Sequence, residues 1–305
     1  MEILTSLNFS KSSFPYVLTI GNFDGLHLGH KSVLDRLKII AKQKSAQTAV
    51  LTFSNHPANV INKSPTPLLC TLEHKVQLLE KEDIDLLILI PFSPEVAVQS
   101  AATFLAGIKK ALPFEVLVLG NDATLGKNKE GNREAVEVIS KEQDFEVEYL
   151  GDYSIDDMRI SSSKIRACIR EGNLVQAAQM FGRPYSIYAP ITKGAGRGSQ
   201  IGFPTANIAV NDLCLPPLGV YAVTLKHLDN KYYGVANLGY APTLRHDLKT
   251  IFEVHLFNYN SDLYGEPVEV IFNKYIRPEQ RFDGIEQLKE QIGKDIQTAK
   301  YIHGI

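Results

Sequence analysis

Residues 21–30 read Gly-Asn-Phe-Asp-Gly-Leu-His-Leu-Gly-His, directly after a short apolar run and directly before a segment of helical periodicity. Gly21 and Gly25 allow sharp turns and close approach of the backbone to a ligand, and Gly29 clears the helix entrance. The N–H groups of a first helical turn have no partner inside the helix, and the dipole there favours an anion. His27 and His30 lie one turn apart and can face the same anion. They lack the i, i+4 spacing of a helical zinc pair, and no third ligand is near in sequence. Phosphate stabilisation therefore fits this stretch better than metal binding.

A second stretch, residues 194–207, reads Gly-Ala-Gly-Arg-Gly-Ser-Gln-Ile-Gly-Phe-Pro-Thr-Ala-Asn. Glycines at 194, 196, 198 and 202 disfavour a helix and suit a loop whose N–H groups wrap phosphates. It is not a Walker loop, because no Gly-Lys-Ser or Gly-Lys-Thr follows. Thr205 and Asn207 alternate on an extended segment and share a face. Their hydroxyl and amide oxygens are hard ligands suited to Mg²⁺. A third stretch, Ser161-Ser162-Ser163 with Arg166 one turn on, can cap a helix or hold a phosphate through hydroxyls and a charge-assisted contact.

The elements that must position these residues change character along the chain. Apolar runs at 16–20, 48–53, 86–90, 115–119 and 145–149 predict buried strands, and apolar residues at helical spacing predict helices over 28–44, 72–82, 94–111 and 132–141. This alternation implies a doubly wound parallel sheet covered by helices on both faces, with ligands beyond the carboxyl ends of its strands. Helical pieces follow at 161–170 and 174–181. After Gly182-Arg183-Pro184, runs at 221–225, 232–237, 251–258 and 268–275 imply a small antiparallel β-barrel, closed off by a terminal helix over 285–302. The pattern divides the chain into domains 1–182 and 183–305.

Composition narrows the function classes. The 305 residues are 44% hydrophobic and 22% charged, with a formal net charge of −2. No broad field favours nucleic acid or an anionic membrane surface. No segment approaches the length of apolar chain that a membrane-spanning helix needs, and no signal peptide is evident. Cys70, Cys168 and Cys214 are far apart and lack metal or redox spacing, which reads as free thiols in a reducing cytoplasm.

The residues 23–30 resemble the HxGH signature of the nucleotidyltransferase superfamily, and the wider stretch 21–30 resembles bacterial bifunctional riboflavin kinase/FAD synthetases. Further phrases are similar in the same order: Asn55-His56-Pro57, the Ile160-Ser161-Ser162-Ser163-Lys164-Ile165-Arg166 phrase, residues 196–208, residues 234–239 with Pro242-Thr243, residues 252–257, and Ile276-Arg277-Pro278-Glu279. The resemblance implies two ATP-dependent reactions, riboflavin to FMN and FMN to FAD with release of pyrophosphate. It implies nucleotide contacts from Gly21, Phe23, Asp24, Gly29, Ser161, Ser162, Ser163, Gly194, Gly202 and Pro204. His27, His30 and Arg166 are expected to stabilise charge in adenylyl transfer, and Glu253 to act as general base in the kinase reaction. Flavin contacts are expected from Asn55, Asp122 and Arg277, and a Mg²⁺ site from Thr205 and Asn207. The substrates expected are riboflavin, FMN and ATP, with neither nucleic acid nor membrane as partner. Where this family has an aromatic-rich G-x-D-F-x-F-G, the chain has Gly120-Asn121-Asp122-Ala123-Thr124-Leu125-Gly126. That departure motivates one alternative, a kinase with an impaired adenylyltransferase half; the other is a flavin- or nucleotide-binding regulator without turnover.

Overall fold

A computed structural model describes residues 1–7, 14–62, 65–156, 158–194, 196–242 and 248–305. Ala195 and Thr243, which belong to two of the phrases above, lie outside the described residues. The chain forms two compact units, one of Met1–Leu68 and Lys75–Ser162, the other of Leu69–His74 and Ser163–Ile305.

The first unit runs β1 (Glu2–Leu4), β2 (Tyr16–Ile20), α1 (Leu28–Lys44), β3 (Gln47–Phe53) and α2 (Pro57–Ile61), then α3 (Leu72–Glu80), whose first residues belong to the second unit. It continues with β4 (Leu86–Ile90), α4 (Pro94–Ala97), α5 (Ala101–Ala111), β5 (Phe114–Gly120), α6 (Arg133–Glu142) and β6 (Glu146–Leu150), and a two-residue ladder of β7 (Ser154–Ile155) and β8 (Met158–Arg159). The six main strands form one parallel sheet in the order β1-β4-β3-β2-β5-β6. Side chains alternate between its faces. Tyr16, Leu18 and Ile20 pack with Leu51, Ile88 and Leu117 against Phe104, Leu105 and Ile108 of α5. Val17, Val50 and Val118 pack on the other side against Leu34 and Leu37 of α1 and Leu79 of α3. Burial on both faces is why these strands read as continuous apolar runs rather than alternating ones.

The expected single helix over 94–111 is two helices. Ser100 caps α5 by accepting from the Thr103 N–H (3.1 Å), and Ser93 caps α4 by accepting from Val96. Each cap satisfies a donor that a continuous helix would have used internally. The edge strand β1 and the short α2 carry too few periodic residues to announce themselves.

The second unit contains α7 (Ser162–Arg170) from its second residue on, α8 (Leu174–Phe181), β9 (Ser186–Thr192), α9 (Arg197–Gln200), β10 (Ala206–Ile208), β11 (Gly219–His227), β12 (Asn230–Pro242), β13 (Leu248–Leu256), β14 (Pro267–Arg277) and α10 (Ile285–His303). Its six strands close into an antiparallel barrel in the order β10-β13-β12-β11-β14-β9. Phe252, Tyr221 and Phe272 are buried together, with Phe252 stacked on Phe272 at 5.1 Å between ring centroids. On the opposite face Val220, Ala222 and Val235 pack against Ala299, Ile296 and Ile302 of α10. The glycine-rich stretch is not loop throughout, because residues 197–200 make the short helical turn α9.

Candidate active sites

In the first unit, β2 ends at Ile20 and the chain turns through residues 21–26 into α1. Two non-glycine residues of this turn take left-handed backbone angles, Phe23 with φ +48° and Leu26 with φ +37°. His27 is the N-cap of α1. Its Nδ1 accepts the backbone N–H of His30 at 3.2 Å, so a neutral His27 carries its proton on Nε2. The two imidazoles stack with centroids 3.6 Å apart and planes 13° from parallel. A side chain on Gly29 would begin 3.2 Å from the His27 ring, so glycine there leaves room for the stack. Phe23 also packs on His30, with its ring tilted 60° and 5.2 Å between centroids. Phe23, Asp24 and His27 are buried, while Gly21, Gly29 and His30 are partly exposed. The stacked imidazoles stand at the N-terminus of α1, just beyond the carboxyl end of β2, where open sheets of this kind bind ligands and helix ends favour anions.

The other residues expected here occupy loops at the same strand ends. Asn55 pairs its amide with the backbone of Phe92, donating to the carbonyl at 3.0 Å and accepting from the N–H at 2.7 Å. It thereby ties the loop after β3 to the loop after β4. Asp122 receives Arg159 at 3.0 Å, and Asp152 receives the same guanidinium at 3.2 Å, which joins the loop after β5 to the β8 ladder. The residues that stand in place of the family's aromatics in that loop have definite positions. Leu125 is buried and pairs with Gly131, and Ala123 packs against the core. Ser161 and Ser162 belong to the first unit. Ser163 and Arg166 belong to the second, where Arg166 is buried in α7 and its carbonyl accepts the Cys214 thiol at 3.6 Å.

In the second unit, strand register brings distant residues into one row. Asn207 on β10 pairs with Glu253 on β13, and Glu253 pairs with Asn237 on β12. Directly paired residues project from the same face of a sheet, so the two amides flank the carboxylate. All three are partly exposed. Asn237 stands in one of the phrases quoted above, but nothing in the sequence assigns it a place beside Glu253; only the register does. His255 reaches the Pro204 carbonyl with Nδ1 at 2.8 Å and packs edge-on to Phe203, which holds the Pro204-Thr205 corner. Gly194 lies so close to the Asn207 amide that a side chain there would collide with it. The glycine turn thus sits on the Thr205–Asn207 segment.

A cavity of ≈ 320 Å³ opens beside this corner. Its walls include Ser199, Thr205, Val254, Tyr259, Ser261 and Asp262. That volume lies at the lower end of the roughly 300–1,000 Å³ of small-molecule sites. Burial pushes the Tyr259 phenol above its ordinary pKa, helped by neighbouring Tyr232, so it remains a neutral hydroxyl at the cavity wall. Among the described residues no three His, Cys, Asp or Glu side chains gather as a metal cage. The side-chain oxygens of Thr205 and Asn207 are of the hard type that suits a Mg²⁺ shared with nucleotide phosphates.

Arg277 has a different setting from the one expected. Its guanidinium grips Asp295 of α10 through two hydrogen bonds of 2.8 and 2.7 Å and donates to the Pro278 carbonyl at 2.8 Å. With both partners largely buried, this pair fastens the terminal helix to the barrel.

Family models match both halves of the chain. Residues 10–164 match the FAD synthetase family model and residues 181–303 match the riboflavin kinase family model. The Listeria monocytogenes protein named bifunctional riboflavin kinase/FMN adenylyltransferase is 37% identical over 93% of this chain and 91% of its own length. The Escherichia coli K12 protein of the same name is 33% identical over 95% and 93%. A solved Streptococcus pneumoniae structure, described as a macrolide-efflux protein, superposes with a TM-score of 0.83 at 28% identity, covering 98% of each chain. No helix among the described residues of the present chain is long and apolar enough to cross a membrane.

Proposed function

This chain belongs to the family of bifunctional riboflavin kinase/FMN adenylyltransferases, and on that premise we propose how its residues divide the two reactions. The enzyme phosphorylates riboflavin with ATP to FMN, then adenylylates FMN with ATP to FAD and pyrophosphate. On this reading residues 1–182 carry adenylyl transfer and residues 183–305 carry the kinase. The cytoplasm is the compartment that supplies ATP and keeps its three buried cysteines reduced.

In the kinase half, the phosphates of ATP lie along the Thr205–Asn207 segment, with the glycine turn of Gly194 and Gly202 and the Pro204 corner around them. Thr205 and Asn207 would hold a divalent cation, most suitably Mg²⁺, which when bound screens the phosphate charge. Glu253 takes the proton from the flavin's terminal hydroxyl as its oxygen attacks the γ-phosphorus, and ADP leaves. Asn207 and Asn237 keep the carboxylate in line by flanking it. The observation that carries this assignment is the row Asn207, Glu253, Asn237 across three strands.

In the adenylyltransferase half, an FMN phosphate oxygen attacks the α-phosphorus of ATP and pyrophosphate departs, with no covalent enzyme intermediate. The His27 Nε2–H, His30 and the N–H groups that open α1 meet the charge that develops. Gly21, Phe23, Asp24 and Gly29 shape that turn, and Ser161 and Ser162 of the same unit add phosphate contacts. Asn55 and Asp122 hold the loops that border the flavin. Arg277 anchors α10, and we assign it no separate flavin contact.

Two variants test the division. His30→Ala lowers FAD formation by roughly 10²–10³, the value of one well-aimed donor, and leaves riboflavin phosphorylation intact. Glu253→Gln does the reverse, lowering phosphorylation by roughly 10²–10⁴. Chromatography of products from riboflavin and from FMN, supplied in parallel with ATP and Mg²⁺, reads both. Loss of both activities in either variant contradicts separate sites. Wild-type protein that makes FMN but no FAD supports the kinase-only alternative, and protein that binds both flavins but releases neither ADP nor pyrophosphate supports the regulator.

A further inference from the structure

Lys75 is 7% exposed, an expensive place for an ammonium group, because a methionine would fill similar volume with no charge to desolvate. Its Nζ donates to the carbonyl of Phe53 at 2.8 Å and to the carbonyl of Asn22 at 3.1 Å. Phe53 is the last residue of β3, and Asn22 lies two residues past the end of β2. Both carbonyls therefore stand at the carboxyl ends of parallel strands, where open sheets of this kind bind their ligands. The Asn22 carbonyl accepts a second donor, the Thr52 hydroxyl, at 3.1 Å.

That carbonyl belongs to the peptide plane whose orientation sets φ of Phe23. Phe23 holds φ at +48°, in the left-handed region that costs a non-glycine residue energy and persists only when its surroundings impose it. The turn continues through a hydrogen bond from the Leu26 N–H to the Phe23 carbonyl at 3.2 Å, with Leu26 also left-handed, and delivers His27 to its cap position. We propose that Lys75, seconded by Thr52, is a positioning residue for adenylyl transfer: it grips the Asn22 carbonyl, holds the strained Phe23 turn, and so sets where the His27–His30 stack points.

This inference rests on the proposed role of the two imidazoles, so its test carries His30→Ala as a separate arm. Lys75→Met keeps the stem and removes the three N–H donors. The turn is then free to relax by the order of 1 Å, which costs about 10²-fold in rate. The expected result is a loss of roughly that size in kcat for FAD formation, with KM for ATP and FMN little changed. The imidazole resonances of His27 and His30, assigned from their alanine variants, shift in the NMR spectrum, and riboflavin phosphorylation is retained. Where Lys75→Met yields no folded protein, Thr52→Val is read by the same criteria. Full kcat in the tested variant, or a loss confined to KM with unmoved imidazole resonances, overturns the proposal. If His30→Ala retains FAD formation, the role of the imidazoles falls first; if His30→Ala is slow while Lys75→Met is fast, only the positioning role falls.

Discussion

Gly194→Ala isolates the contact between the glycine turn and the proposed cation ligand. A β-carbon there would stand 2.6 Å from Cγ and 2.9 Å from Oδ1 of Asn207, and nearer still to Nδ2. Ordinary carbon–carbon contact is about 3.5–4.0 Å, so turn and amide must separate by about 1 Å. The backbone at Gly194 is not left-handed, so alanine adds no conformational strain of its own. The main chain of Asn207 is tied on both sides, pairing with Thr192 on β9 and with Glu253 on β13. The adjustment therefore falls on the Asn207 amide and on the exposed turn rather than on the barrel.

Displacement by 1 Å of a group that positions reactants costs about 10²-fold, or about 2.7 kcal/mol of barrier. The assay is riboflavin phosphorylation followed by ADP release across a Mg²⁺ titration. We expect kcat/KM to fall about a hundredfold at limiting Mg²⁺ and the Mg²⁺ midpoint to rise, while FAD formation from supplied FMN and the thermal midpoint stay near wild type. Gly284→Ala is the control, because a β-carbon there meets nothing within 4 Å. Wild-type phosphorylation and an unchanged Mg²⁺ midpoint in Gly194→Ala would refute the assignment of Asn207 to the cation.

Two further predictions concern stability. Asp295→Ala leaves the largely buried Arg277 guanidinium without its carboxylate and destabilises the kinase half by about 3–5 kcal/mol, read as a lower urea midpoint of phosphorylation; Arg277→Met in the same chain recovers part of the loss. Gly293→Ala lies within α10 with nothing within 4 Å of the added carbon, and it raises stability by about 0.5–1 kcal/mol through helix propensity, read by calorimetry.

How much of this was legible depends on whether a residue's partners are near it in sequence. The runs at 16–20 and 86–90 announce buried strands because each becomes a strand packed on both faces, and α1 announces its buried face through Val33, Leu34, Leu37, Ile40 and Ala41. His27 and His30 are legible as a pair because one helical turn joins them. The division at Ser100 has a local signal too, a serine able to cap, but the apolar periodicity that runs across it hides the break. The row of Asn207, Glu253 and Asn237 is another matter: strand register makes it, and register follows from how the whole barrel closes. Asp295 is likewise one acid among several on an amphipathic helix until Arg277 reaches it.

Lys75 marks the deeper limit. A lysine on a helix reads as a solvated charge, and the group it grips is a backbone carbonyl, which every residue type possesses. Sequence patterns can advertise side chains that meet a ligand, because chemistry restricts their types. They cannot advertise a residue that acts through the main chain of its neighbour. In this turn two left-handed non-glycine residues carry the effect, and their strain is a property of the folded backbone alone. Residues that bear strain on behalf of a site are therefore best sought by asking what holds each improbable φ in place.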